Sequence, residues 1–90
     1  MSTVARRLVV HGVVQGVNFR AWVRQRADTR GVAGWAVNEA DGSVVVWLEG
    51  DPEAVAGVER AVREGPSHAL VAHVDATDEE PRGLEGFTRR

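Results

Sequence analysis

Apolar and polar positions along the 90-residue chain follow two different periods. Short Val-rich runs, with apolar residues in succession or at every second position, predict β-strands. Longer stretches with apolar residues three and four positions apart predict amphipathic helices. The predicted strands cover residues 8–14, 34–38, 43–49, 69–76 and 86–90, and the predicted helices cover 19–30 and 52–64.

Residues at the predicted helix ends support these boundaries. Asp51 suits the N-cap of the second helix and Pro52 its first position, while Gly65 ends it. Asn18 suits the N-cap of the first helix, where its side chain would accept a main-chain N–H bond. Both helices are therefore expected to begin at defined residues.

The predicted hairpin turns at Asp41 and Gly42, and its loop length decides which side chains share a face. A two-residue and a four-residue loop are both compatible with the sequence, and both give the same faces. The residues predicted to face the core are Trp35, Val37, Val44 and Val46. The residues predicted to face away are Ala36, Asn38, Val45 and Trp47. The pair of Val45 and Trp47 would then form an exposed apolar patch or a contact surface for another chain.

The order β-α-β-β-α-β, followed by a short last strand, predicts an α+β fold. It is the order of a ferredoxin-like βαββαβ sandwich, with one antiparallel sheet of four or five strands and two helices on one face. We expect residues 1–90 to form a single domain. The first two strands would run parallel with the third between them. Segment 14–20 and Asn38 would therefore lie at the same edge of the sheet.

Composition excludes several kinds of chemistry. The chain has no Cys, which excludes disulfides, iron–sulfur clusters, Cys-ligated zinc and a thiol nucleophile. All 11 basic residues are Arg, so lysine Schiff-base chemistry is excluded as well. A net charge of −2 argues against general binding to nucleic acid or to a membrane surface. No export signal is evident, and we expect a cytoplasmic protein.

Segment 12–20 has the features of an anion-binding site. It leaves a buried strand, turns at Gly16 and enters a helix, whose first N–H groups have no partners within the helix. Such groups, at the positive end of the helix dipole, attract anions. Arg20 adds a planar fork of donors that suits two phosphate oxygens. The sequence therefore predicts a phosphate site where the first strand meets the first helix.

Two motifs resemble acylphosphatases: GVVQGVNFR at 12–20 and GWAVNEADGSV at 34–44. The resemblance extends over essentially the whole chain. It implies hydrolysis of the carboxyl–phosphate anhydride of small acyl phosphates, giving a carboxylate and inorganic phosphate, with no metal and no cofactor. It also implies a small-molecule partner, and we expect a monomer that binds neither nucleic acid nor a membrane.

The resemblance also implies the role of each site residue. Arg20 would bind the phosphate together with main-chain amides of the preceding loop, and Asn38 would position the attacking water. The residues expected to form that phosphate-binding loop, mostly through their main chain, are Gln15, Gly16, Val17, Asn18 and Phe19. Two positions after Phe87 the family usually has an apolar residue, whereas this chain has Arg89. The last strand is therefore expected to be short or frayed.

An alternative function stays open at this point. The same scaffold could serve as a non-catalytic phosphate- or ligand-binding module, because a fold does not determine a function. Asn38 argues against this alternative, since an anion binder does not need to orient water. An RNA-binding role would need exposed aromatic residues on the central strands and a basic face, and only Trp47 meets the first condition.

Overall fold

Seven elements follow one another in the order that the sequence predicts. The computed structural model describes residues 2–90. Its elements are β1 (Val4–Val13), α1 (Phe19–Thr29), β2 (Ala33–Asn38), β3 (Val44–Gly50), α2 (Pro52–Glu64), β4 (Leu70–Glu79) and β5 (Phe87–Arg89). The ferredoxin-like α+β class is confirmed. The neighbouring strands β1 and β4 are longer than predicted, and β5 is as short as expected.

The five strands form one sheet in the order β4-β1-β3-β2-β5. Since β3 pairs antiparallel with both β1 and β2, those two strands run parallel, as predicted. The prediction of a wholly antiparallel sheet is wrong for β5, which pairs parallel with β2. The reason is the connection over residues 80–86, which carries the chain from β4 at one edge of the sheet to β2 near the other.

The hairpin between β2 and β3 differs from the prediction in its register. Asn38 pairs with Val44, so residues 39–43 form a five-residue loop. An odd number of loop residues reverses the faces of β2 relative to either even-numbered loop. The predicted grouping is therefore wrong for β2, and Asn38 faces the helices together with Ala36 and Val44. The residues that share the opposite, helix-free face are Trp35, Val37, Val45 and Trp47.

The core lies between the sheet and the two helices. Apolar side chains from α1, α2 and the central strands are almost wholly buried there. They include Leu8, Val10, Phe19, Val23, Ala36, Val46, Leu48, Val55 and Val58. The N-cap of α2 is as predicted, because the Asp51 carboxylate accepts the N–H groups of Glu53 and Ala54. Neither α1 nor α2 is long and apolar enough to cross a membrane, and residues 2–90 contain no other helix.

The helix-free face of the sheet is covered by the connection over residues 80–86. Val45 is 3% exposed and Trp47 is 1% exposed. The Arg82 guanidinium lies 4.4 Å from the centre of the Trp47 ring, and the Trp35 ring stacks beside it. The expectation of an exposed patch or contact surface at Val45 and Trp47 is therefore wrong.

Candidate active site

Arg20 and Asn38 lie together at one edge of the sheet, as the crossover rule predicts. They line a cavity of about 190 Å³ between the β1–α1 loop, the start of α1 and the end of β2. The other residues that line it are Val14, Gly16, Asn18, Phe19, Ala21 and Arg89. Residues far apart in the sequence thus meet in one site.

The backbone of the β1–α1 loop leaves main-chain amides free at the start of α1. Gly16 has φ +76°, and Asn18 has φ 60° and ψ 27°, both left-handed conformations. The Asn18 side chain makes no capping hydrogen bond, so the predicted side-chain cap is wrong, although Asn18 does precede the helix. Asn adopts the left-handed region more readily than most residues. The first amides of α1 are therefore available to an anion.

The five predicted loop residues divide into two groups. Gly16, Asn18 and Phe19 line the cavity, whereas Gln15 and Val17 do not. Val17 is partly buried against the core. The two groups therefore contribute differently, and only the first borders the space that a ligand would occupy.

Gln15 connects the β1–α1 loop to the β2–β3 loop. Its side-chain amide donates to the main-chain oxygens of Glu39, at 2.8 Å, and of Ser43, at 2.9 Å. These two residues flank the turn that follows Asn38, and the Glu39 N–H also bonds to the Ser43 oxygen. Gln15 therefore holds the end of β2 close to the β1–α1 loop.

Asp41, a residue of the second motif, stabilises the turn itself. Its carboxylate accepts hydrogen bonds from the Ser43 hydroxyl at 2.6 Å and from the Ser43 N–H at 2.9 Å. The Ser43 hydroxyl bond, followed by the N–H bond, lowers the pKa of Asp41 below its usual value. Asp41 stays charged and supports the loop whose length orients Asn38.

The cavity carries positive charge although the chain as a whole carries −2. Arg20 is half-buried and Arg89 is exposed, and none of the lining residues is a carboxylate. One Nη of Arg20 donates to the main-chain oxygen of Arg90. Within residues 2–90 the rest of the Arg20 fork makes no hydrogen bond, which leaves donors for a ligand.

Three lining residues, Val14, Ala21 and Arg89, are not among the predicted site residues, and of these only Arg89 has a polar side chain. In the sequence, Arg89 stands out only because the family usually has an apolar residue at this position. Side chains alternate between the two faces of a strand, so Arg89 lies on the same side as Phe87, which is buried in the core. This alternation is the signal in the sequence from which the side of Arg89 could be predicted.

The fold and the cavity define a ferredoxin-like domain in which an arginine and the uncapped start of a helix lie at one edge of the sheet. The sequence model of the family described as Acylphosphatase matches residues 6–89. An acylphosphatase of a Nocardioides species is 48% identical over 80 residues, which are 89% of this chain and 81% of that protein. An acylphosphatase of Thermococcus kodakarensis is 44% identical over 97% of this chain and 96% of its own length.

A solved structure agrees with the sequence relatives. The crystal structure of acylphosphatase from Bacillus subtilis superposes with a TM-score of 0.93 at 34% identity, covering 97% of this chain and 98% of that one. The chain therefore belongs to the acylphosphatase family of acyl phosphate hydrolases.

Proposed function

We propose that the chain hydrolyses small acyl phosphates with Arg20 and the amides of the β1–α1 loop holding the phosphate and Asn38 orienting the attacking water. The observation that supports this proposal is the cavity that Arg20, Asn38 and the free first amides of α1 share. Asn38 has a donor and an acceptor in its amide, which is enough to orient a water without titrating.

The chemistry needs positioning more than acid catalysis. The water oxygen attacks phosphorus, the bond from phosphorus to the acyl oxygen breaks, and the carboxylate leaves with the electron pair of that bond. A carboxylate is a weak base, so it leaves without being protonated. The site aligns the water for attack. Arg20 and the main-chain amides place positive charge next to the negatively charged phosphoryl oxygens.

We propose further that a phosphate oxygen of the substrate takes the proton of the attacking water. The residues that line the cavity include no carboxylate and no His. A carboxylate in the place of Asn38 would also repel the phosphate. The products are then a carboxylate and inorganic phosphate, with every proton accounted for.

The positive charge that the chemistry requires is present in the protein itself. Arg20 supplies a permanently charged fork, and the N-terminal end of α1 supplies oriented N–H groups. These groups can stabilise the charge on the transferred phosphoryl oxygens. Metal-independent hydrolysis is part of this proposal, and it is tested by removing divalent ions.

The experiment measures hydrolysis of benzoyl phosphate by the purified protein in excess EDTA, with Arg20→Ala and Asn38→Ala beside it. Removing one preorganised donor lowers turnover by about 10²–10³-fold, and we expect at least that loss in each variant. Arg24→Ala is the matched control, because Arg24 lies one helical turn further along α1, is exposed and does not line the cavity. Its turnover should stay within about twofold of the parent protein.

Two outcomes would contradict the proposal. Full activity in Asn38→Ala would contradict the water-orienting role of Asn38. If activity is lost in EDTA and restored by divalent ions, metal independence is contradicted. No hydrolysis at all, with phosphate still bound at Arg20, would favour the non-catalytic binding module. A cytoplasmic location and a monomeric state stay predictions.

A further inference from the structure

Arg89 belongs to the wall of the cavity because of its position on β5. Phe87 is 4% exposed and packs in the core on the helix side of the sheet. Two residues further on, Arg89 lies on that same side and pairs with Ala36 of β2. Arg90 alternates to the other side, where its guanidinium lies 4.8 Å from the centre of the Trp35 ring. The strand thus directs Arg89, and not Arg90, to the cavity.

Within residues 2–90, the charge of Arg89 has no partner. No carboxylate of residues 2–90 lies within ion-pair distance of its guanidinium, and it makes no side-chain hydrogen bond to another described residue. Among the exposed arginines, Arg89 lines this cavity, whereas the others do not. The guanidinium of Arg89 is therefore available to bind an anionic group of a ligand.

The order of the strands places β5, which carries Arg89, on the far side of β2 from the β1–α1 loop. Along the edge of the sheet, the loop after β1 comes first, Asn38 at the end of β2 follows, and β5 lies beyond β2. A phosphate bound at the free amides and Arg20 occupies the loop side of the cavity. The acyl part is the remainder of the substrate, and an acyl part that extends from there toward β5 would reach Arg89.

We propose that Arg89 is a specificity-determining residue that binds a second anionic group, a carboxylate or a phosphate, on the acyl part of the substrate. This inference rests on the proposed function and extends it from acyl phosphates in general to those with a second negative charge. The expected substrates carry the acyl phosphate at one end and an anionic group at the other. A guanidinium fork recognises both kinds of group through two oxygens.

The experiment compares kcat/KM for benzoyl phosphate, 4-carboxybenzoyl phosphate and 4-phosphonobenzoyl phosphate. The three substrates share the reacting group, and the para position prevents cyclisation. The last two separate a carboxylate from a phosphate-like group. In Arg89→Gln we expect the preference for each charged substrate over benzoyl phosphate to fall about tenfold, the effect of one charge-assisted hydrogen bond. Comparing variants cancels the intrinsic reactivity of each substrate.

Two controls separate recognition from net charge and from folding. Arg60→Gln removes the same charge from the exposed side of α2, away from the cavity, and should leave the preference unchanged. Arg89→Lys keeps the charge and should retain part of the preference. In the parent protein the preference should also shrink between about 0.01 and 0.5 M salt, because an exposed charge pair is screened. If Arg89 has a purely structural role, Arg89→Gln should show the same salt dependence as the parent protein.

The outcomes are distinct. A selective loss on the charged substrates supports the inference, and its size on each substrate identifies the anionic group that Arg89 prefers. An equal loss on all three substrates, or no loss, would overturn the inference and leave the proposed function standing. Hydrolysis of none of the three by the parent protein would overturn the proposed function, and the inference with it.

Discussion

Asn38 shows how one residue of loop length decides a functional orientation. With a two- or four-residue loop, its side chain would lie on the helix-free face, away from α1. The five-residue loop turns it to the helix side, where it shares a cavity with Arg20. Gln15 and Asp41 make hydrogen bonds that hold this loop, and they thereby help to fix the orientation of Asn38.

At this residue scale, the proposed proton acceptor can be tested through Glu39. It is the carboxylate next to Asn38 in the sequence, and it does not line the cavity. If a substrate phosphate oxygen takes the proton, the pH profile of kcat/KM should follow the ionisation of the substrate alone. Glu39→Gln should then give the same profile as the parent protein. A limb of the profile that disappears in Glu39→Gln would show that an enzyme carboxylate is the base.

At the scale of elements, residues 80–86 are attached to the sheet mainly through Glu49. This side chain is 3% exposed. Its carboxylate accepts the N–H groups of Arg82 at 3.0 Å and Leu84 at 2.8 Å, and the Trp47 indole N–H at 2.9 Å. These bonds hold the connection that leads into β5, and β5 carries Arg89 to the cavity.

The protonation of Glu49 should therefore affect stability. Burial alone would raise the pKa of Glu49, but the Arg82 N–H bond, the Trp47 bond and the other main-chain N–H bonds outweigh it and lower that pKa. A carboxyl group whose pKa is lower in the folded state stabilises the fold above its unfolded pKa of about 4.3. This stabilisation is lost as the pH falls through the folded pKa.

We expect Glu49→Gln to lower the free energy of unfolding by about 2 kcal/mol at pH 7, since an amide cannot accept at both positions. The difference from the parent protein should be smaller at pH 3, below the unfolded pKa of Glu49, because part of the stabilisation by the carboxylate is lost there. Urea unfolding at the two pH values measures it. Glu85→Gln, an exposed carboxylate in the same connection, is the control and should change little. A difference that stays the same at both pH values would contradict the assigned role.

At the scale of the whole molecule, the site joins three distant parts of the chain. Segment 14–21, Asn38 and Arg89 come together only in the folded state. An anion bound there stabilises the folded state, because the unfolded chain has no such site. The positive charge of the cavity favours anions although the chain carries −2 overall.

Inorganic phosphate should therefore raise the free energy of unfolding, by about 2.7 kcal/mol at 100 times its dissociation constant. Arg20→Ala should lose most of this effect, whereas Asn38→Ala should keep it, because Asn38 is assigned to water rather than to phosphate. Thermal unfolding in phosphate and in chloride of equal ionic strength measures the difference. An equal phosphate effect in Arg20→Ala and the parent protein would contradict the phosphate site.

The elements, their order and the proximity of Arg20 to Asn38 could be predicted from the sequence alone. Local signals carry this information: the apolar period separates strands from helices, and Asp51 and Pro52 mark the start of α2. The crossover rule then requires β1 and β2 to run parallel, which brings their ends to one edge. The two sequence motifs that identify the family contain Arg20 and Asn38, the residues that these strand ends bring together.

Only the tertiary structure decided four features of the protein. They are the face to which each β2 side chain points, the burial of Trp47, the parallel direction of β5 and the position of Arg89 beside the cavity. The loop after Asn38 depends on hydrogen bonds from Gln15, which lies 24 residues earlier than Glu39. The burial of Trp47 depends on where the chain runs after β4, and this connection is held by Glu49. A local pattern specifies the period of a segment but not its partner, and these features depend on partners that are distant in the sequence.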